Sequence, residues 1–280
     1  MDWLGFLLLV ALLLLLACGW LVLGARAASR DVAALSERLW ASAESSGQRL
    51  FYETQVAELP DIVLRYFQWS LADGTPIPEA ARLRFSGRIR LGRNKPWMPH
   101  RSQEVIRTGE GFVWSARVTG ALPISGSDSY VDGSGKMEWR LARLLPVMRA
   151  ADDNIARSAR WRFVAEHLFI PGSLLPGKHV CWEPLSDLSA NVTIVQDGIE
   201  HTLRLDFDAD GMPRKVTFQR WGAFETEGGR WKMIPYAVRC RGVCRKGGYS
   251  LPHQFVACWW ANTDQEFAAV ELEVEDADFR

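Results

Sequence analysis

The chain has 280 residues, and its 33 Lys or Arg side chains balance 33 Asp or Glu, for a formal net charge of zero. That balance leaves no global field to recruit nucleic acid or an acidic partner. Five cysteines are too few for a disulfide-built scaffold, and 13 tryptophans point either to heavy core packing or to an aromatic-lined cavity for an apolar ligand.

The first element is an apolar run from Trp3 to Leu23 with no charge and no proline. About 20 helical residues cross the ~30 Å hydrocarbon core of a bilayer, so residues 1–24 read as a transmembrane anchor. A secretory signal begins with basic residues and has a shorter apolar core; here Asp2 holds that place. Ala25-Arg26-Ala27 resembles a cleavage site and Leu15-Leu16-Ala17-Cys18 a lipoprotein acylation site, but Trp20-Leu21-Val22-Leu23 carries the run past both the cysteine and the length of a signal. The expectation is an uncleaved single-pass membrane protein. Arg26, Arg30 and Arg38 follow the span and no Lys or Arg precedes it. The positive-inside bias then puts the large domain on the cytoplasmic side, with Asp31 and Glu37 in the same flank weakening that bias. Residues 25–58 read as a juxtamembrane helix and linker: Val32, Leu35 and Leu39 form one helical stripe between Val32 and Glu44, which Ser45-Ser46-Gly47 interrupts.

Residues 59–280 read as one α+β domain. Its first helix spans Leu59–Leu71, with Pro60 and Asp61 in the first turn, Asp73-Gly74 as the stop, and Val63, Tyr66, Phe67 and Leu71 as the buried face. From Leu83 the period changes to alternation, and strands are expected at 83–91, 102–107, 111–119 and 129–141. Ser125-Gly126-Ser127-Asp128 reads as a separator. Two helices then follow, Ala142–Ala151 and Asn154–Phe169, the second with caps in Asp152-Asp153-Asn154. Strands resume at 180–185, 190–196, 201–206, 215–221, 231–240, 254–260 and 267–274, with turns at Asp197-Gly198 and Asp208–Gly211. Such short spacing requires antiparallel pairing. The expected fold is a large curved antiparallel sheet with several packed helices, without an internal repeat.

Chemistry-bearing motifs are few. Asp206-Phe207-Asp208-Ala209-Asp210-Gly211 begins like a calcium loop but lacks the bidentate glutamate six residues after the glycine, so it reads as a hairpin turn. Cys240-Arg241-Gly242-Val243-Cys244 is the only close cysteine pair. If Gly242 makes a three-residue hairpin loop, the two thiols face each other near enough to bridge; unpaired thiols are the first reading, a disulfide the second, and a zinc site with Cys258 and His253 the third. No phosphate loop, dinucleotide fingerprint or Gly-x-Ser-x-Gly elbow occurs, so no catalytic residue, metal ligand or cofactor is assigned. Arg162 and Glu166 stand at i, i+4 on a helix crowded by Phe163, Val164 and Leu168, either as a surface ion pair or as the polar end of a cavity. Trp114, Asp128 and Tyr130 lie on neighbouring strands and either pack in the core or line a pocket. The candidate ligand-binding set is therefore Trp114, Asp128, Tyr130, Arg162 and Glu166.

Leu59-Pro60, Arg65-Tyr66-Phe67, Gly111-Phe112-Val113-Trp114, and Asp128, Tyr130, Val131, Gly133 and Gly135 occur in this order. Arg162 to Glu166, Pro171, Leu174-Leu175-Pro176, Gly248-Tyr249-Ser250-Leu251-Pro252 and Trp259 follow. Over residues 55–280 the order resembles an uncharacterised family of bacterial membrane-anchored proteins, a domain of unknown function. The Cys240–Cys244 stretch stands outside that pattern. The resemblance implies relatives without implying an activity, and a curved sheet clasping helices is similar to periplasmic lipoprotein carriers in architecture alone. Three functions follow as expectations: a membrane-anchored module for a lipid or other apolar ligand, a carboxylate-dependent enzyme, or a scaffold for another membrane protein. The partners expected are the membrane and an apolar small molecule.

Overall fold

The computed structural model describes residues 3–43, 49–120 and 123–280; the Ser45-Ser46-Gly47 interruption lies outside them. One continuous helix, α1 (Trp3–Ser42), takes in both the apolar run and the Val32, Leu35, Leu39 stripe. It is long and apolar enough to cross a membrane, and its apolar first half is exposed, with Trp3 and Trp20 standing free of the domain. The last turns differ. Leu39, Trp40 and Ala43 bury against Ala80, Val105, Val113 and Val131. The guanidinium groups of Arg82 and Arg280 lie 4.6 and 4.5 Å from the Trp40 ring centroid, and Arg38 and Glu37 pair with Asp132 and Arg82. Phe51 and Val56, beyond the helix, belong to the main core.

Helix α2 (Asp61–Ser70) starts after Pro60 and buries Val63, Tyr66 and Phe67, with Leu71 just past its end, as the periodicity predicts. Thirteen strands follow among the described residues: β1 (Ala80–Ile89), β2 (Met98–Arg107), β3 (Gly111–Val118), β4 (Ile124–Val131), β5 (Ser134–Leu141), β6 (Leu145–Ala150), β7 (Val180–Ser186), β8 (Ser189–Gln196), β9 (Ile199–Phe207), β10 (Pro213–Gly222), β11 (Lys232–Lys246), β12 (Tyr249–Trp259) and β13 (Phe267–Phe279). Helix α3 (Asp153–Glu166) sits between β6 and β7 in the chain. The strands make one antiparallel sheet ordered β6-β5-β4-β3-β2-β1-β13-β12-β11-β10-β9-β8-β7.

Three local expectations are corrected. The predicted helix Ala142–Ala151 is a turn and an edge strand. Ala142 and Arg143 adopt left-handed φ of 48° and 64°, which stops a helix, and β6 pairs with β5 from Leu145↔Leu141 to Ala150↔Met137. Pro146 fits an edge strand, where a missing N–H is tolerated. Ser125–Asp128 does not separate strands but lies inside β4, and the long run 129–141 divides at Asp132-Gly133, whose φ values of 50° and 79° make the tight hairpin turn. Finally, β11 runs straight through the cysteine pair. Cys240 and Cys244 face Phe255 and Leu251 on β12. Four residues along one strand is ~13 Å, beyond disulfide reach, and all five cysteines are free. Burial pushes the Cys240 thiol up to about 12. Among the described residues, no group of three His, Cys, Asp or Glu side chains is placed to hold a metal.

The sheet is strongly curved, and α3 proves it. In a flat sheet, β5 and β10 would be eight strand spacings apart, ~38 Å at ~4.8 Å each, yet one helix ~10–12 Å wide touches both. Trp221 of β10 donates its indole N–H to Asn154 at 3.0 Å, Trp161 stacks on Phe218, and on the other flank α3 lies directly over Gly135 of β5. The Tyr130 hydroxyl on β4 meets Asp197 in the β8–β9 turn. The two wings of the sheet thus close around α3, with α2 beneath β7, β8 and β12.

Gly135 is where that closure is tightest. A Cβ there would stand 2.5 Å from the Ala156 Cα and 2.6 Å from its nitrogen, and backbone cannot yield as a side chain does. Gly135→Ala should therefore cost ~1–3 kcal/mol or more by overpacking in chemical denaturation. A change within ~0.5 kcal/mol, as at an ordinary surface site, would mean that α3 is not seated on β5 as described.

Candidate functional site

Asp152 starts α3 by accepting hydrogen bonds from the Asn154 and Ile155 amides at 2.9 and 3.0 Å, a cap that satisfies two of the helix's first free N–H groups. Ile155, Ala159 and Phe163 go into the core. One residue before Phe163, Arg162 points at the concave face of β2–β4. Its Nη2 donates to Glu104 Oε1 at 2.8 Å and its Nη1 to Asp128 Oδ2 at 3.3 Å, while Nε donates to Glu166. The guanidinium carbon lies 4.6 and 4.9 Å from the ring centroids of Phe112 and Trp114. Register explains the convergence, since Glu104 pairs with Trp114 and Trp114 with Asp128 across three neighbouring strands. Trp139 completes the floor. Gly126 opposite it has no side chain, so the indole lies across β4 and donates to Asp128 Oδ1 at 2.9 Å.

The group is largely withdrawn from water: Glu104, Glu166, Arg162 and Asp128 side chains are 1, 11, 17 and 19 % exposed. Burial is the main cause that raises the affinity of all three carboxyls for protons. For Glu104 the neighbouring Glu166 charge adds to burial and drives it well above the ordinary range. Glu166 and Asp128 rise less, because Arg162 opposes the effect of burial. Arg162 itself is held charged: burial disfavours its charge, but Glu166, Glu104 and Asp128 outweigh it. Arg220, on β10, adds a second positive charge felt by Asp128 and Glu166. Three carboxyls against two guanidinium groups leave one negative charge in excess. A single proton shared by Glu104 and Glu166, whose Oε2 atoms otherwise lack a donor, brings the group to neutrality.

All five candidate residues read from the sequence face the enclosed side. Trp114, Asp128, Arg162 and Glu166 form one cluster. Tyr130 stands one inward position further along β4, opposite Phe112, against Phe163 and Asp197, and is not part of it. The Arg162–Glu166 pair is buried, but Glu104 and Asp128 share the arginine. Glu104, Trp139 and Arg220 escaped sequence reasoning. For Glu104 a signal existed: it has the same strand parity as buried Ile106, an acid at an inward position.

Three further buried polar atoms around the cluster have no partner: Ser102 Oγ, Trp114 Nε1 and Arg220 Nε. From Arg220 an aromatic lane runs along the inner wall. Its guanidinium lies over Tyr236 and Trp259, and Trp259 stacks on Phe224, which meets Phe267. Two clefts lie elsewhere, at the surface. One of about 810 Å³ is bordered by Pro60, Ile62 and Arg65 of the α2 end and Leu185 and Asp187 near β7; the other, about 400 Å³, lies beside Trp69, Gly248 and Tyr249.

The chain belongs to DUF6544, a family of unknown function, whose match covers residues 49–272. No curated protein matches it. Among solved structures it is similar to the LolA superfamily protein NE2245 from Nitrosomonas europaea, at 11 % identity over 78 % of this chain and 92 % of that one, TM-score 0.42. A putative outer membrane lipoprotein-sorting protein domain from Vibrio parahaemolyticus matches at 11 % identity over 82 % and 92 %, TM-score 0.40. A DUF1329 family protein from Desulfovibrio piger matches at 8 % over 78 % and 90 %, TM-score 0.41.

The shared arginine changes what mutation should do. A lone buried pair would make Glu166→Ala cost ~3–5 kcal/mol; here Glu104 and Asp128 still compensate Arg162, so that loss should be much smaller. Arg162→Met should carry the ~3–5 kcal/mol instead, because it strands three buried carboxyls. Equal losses for the two variants would contradict the shared geometry. The pH dependence has a definite sign. Folded Glu104 and Glu166 keep a proton that the unfolded chain releases near ~4.3, so their contribution is complete below that value and is lost as pH rises through the raised folded value. Relative to Glu104→Gln, the wild type should lose stability as pH rises from 4 to 8. Comparing at each pH cancels the opposite trend of His100, His167 and His201, whose burial lowers them, His201 to about 4. A pH-independent difference would contradict the shared proton.

Proposed function

We propose that this DUF6544 protein is a membrane-anchored binding module that holds an amphipathic, lipid-like molecule between the curved sheet and α3. The observation that carries the reading is the set of unpartnered buried polar atoms, Ser102 Oγ, Trp114 Nε1 and Arg220 Nε, beside the Arg162 cluster. A buried polar atom left unpaired costs ~1–3 kcal/mol. Two N–H donors and one hydroxyl around one charged group suit a ligand head rich in acceptor atoms, and the aromatic lane suits an apolar body. The partly exposed edges of Arg162 and Asp128 mark the side from which a ligand reaches the cluster.

The apolar half of α1 is the anchor in this reading, in a bacterial inner membrane, with Arg26, Arg30 and Arg38 keeping the domain on the cytoplasmic side. A carboxylate enzyme is the second reading, favoured by the convergence of Glu104, Asp128 and Glu166, each with raised proton affinity, around one arginine. A scaffold role has one observation in its favour, exposed Leu185 beside the cleft of about 810 Å³ and Leu188 two residues on from Ser186.

Native mass spectrometry of the detergent-purified full chain should find a co-purified lipid. Returning that lipid at 100 times its dissociation constant to the delipidated chain should stabilise it by about 2.7 kcal/mol. Trp114→Phe should weaken binding more than folding, since it removes the indole N–H and keeps most of the buried area. If neither fatty acid, phospholipid nor lipid-linked precursor binds at micromolar concentration, the carrier reading fails and the scaffold reading replaces it.

A further inference from the structure

The β5–β6 hairpin presents apolar side chains to solvent where a globular domain has no use for them. Leu144, Leu145, Val147 and Met148 are 38, 52, 54 and 49 % exposed. They are consecutive apart from Pro146, run from the turn into an edge strand and belong to neither buried cluster, which is why their helical period misled the sequence reading.

Their position along α1 supplies a reason. Arg140 Nη1 donates to the Leu144 carbonyl at 3.1 Å and Nη2 to the Gly24 carbonyl at 3.5 Å, while Glu138 holds the same guanidinium at 2.6 Å. The turn of the hairpin is thereby tied to the residue that follows the apolar run. Ala25 is buried and Leu21 and Val22 are half-buried, so the domain meets the helix at that level. A second tie, Arg38 to Asp132 in the β4–β5 turn, fixes direction. From Gly24 to Arg38 the helix covers ~21 Å, and from Arg140 back to Asp132 the strand covers ~26 Å. Helix and hairpin therefore run side by side, and residues 142–145 point the way the apolar run leaves. Trp3 and Trp20 lie ~26 Å apart along the helix, a little less than the ~30 Å hydrocarbon core, and Trp20 is one turn from Gly24. Arg143 and Arg149 are exposed beside the apolar residues, and exposed Leu91 and Lys95 of the β1–β2 turn share this end of the sheet.

We propose that the β5–β6 hairpin is a second membrane contact: Leu144, Leu145, Val147 and Met148 enter the headgroup layer of an anionic phospholipid surface beside the end of the apolar run, with Arg143 and Arg149 at the phosphates. This rests on the anchor reading of α1. Apolar side chains rimmed by cations bind such an interface through buried area and charge together. Two contacts, helix and hairpin, fix the tilt of the domain, so that one end of the curved sheet always faces the bilayer.

The test uses the full chain in vesicles of phosphatidylcholine and phosphatidylglycerol. Cys18, Cys181 and Cys244 are replaced by serine, and an environment-sensitive dye is attached at Leu145→Cys, Met148→Cys, Leu13→Cys or Ile199→Cys. Ile199 is exposed and follows the turn that meets Tyr130, at the opposite end of the strands. Lipids spin-labelled near the headgroup should quench the dye at 145 and 148 and leave 199 untouched. Arg143→Glu with Arg149→Glu should reduce quenching at 145. Dyes at 145 and 148 as unquenched as at 199, with the dye at 13 in lipid, would overturn the hairpin contact and leave the anchor standing. A dye at 13 that is also in water would overturn both. Quenching at 145 that ignores charge reversal would overturn the anionic requirement.

Discussion

Everything inside the curved sheet is arranged around one guanidinium group. Arg162 is the point at which α3, β2 and β4 meet, through Glu166, Glu104 and Asp128, and it lies on the rings of Phe112 and Trp114. A charge this withdrawn from water is tolerated only with partners, and three acidic partners exceed what one arginine neutralises. The excess forces two further features: Arg220 must be near, and one carboxyl must keep its proton. Hydrophobic packing alone would let α3 slide along an aromatic floor. The arginine selects one register, with Gly135 and Gly126 as the places where backbone and indole fit beneath it.

Much of this was legible in the sequence, and the failures have physical causes. Alternation located nearly every strand because one face of the sheet is wet, and the α2 stripe of Val63, Tyr66 and Phe67 follows from helical period. The β6 error shows the limit: Leu144, Leu145, Val147 and Met148 have spacing consistent with a helix face, but period says nothing about whether a surface exists to bury that face. The cysteines are free, the first of the sequence readings, but the glycine between them is ambiguous: Gly242 at φ 63° leaves β11 running on instead of reversing it. Pairwise spacing found Arg162 with Glu166, since both sit on one helix. It could not find Glu104 or Arg220, whose proximity depends on strand order and on the closure of the sheet across the five strand spacings from β2 to β10.

The same closure separates a sealed interior from two exposed surfaces, the apolar half of α1 and the β5–β6 tip. Both lie at one end of the molecule, tied by Arg140. The interior is unusual in the opposite sense, with polar atoms that the protein itself leaves unpaired. In the proposed reading, the enclosed polar centre holds the head of an amphipathic molecule while the apolar end of the protein meets the bilayer.

Infrared spectroscopy of the delipidated full chain at neutral pH reads the Arg162 cluster most directly, because a protonated carboxyl absorbs apart from a carboxylate. The predicted result is one protonated-carboxyl band that disappears in Glu104→Gln and shifts when a lipid binds. A spectrum with every carboxyl ionised, unchanged by Glu104→Gln and by lipid, would contradict both the shared proton and the role of this cluster as the polar end of a binding site.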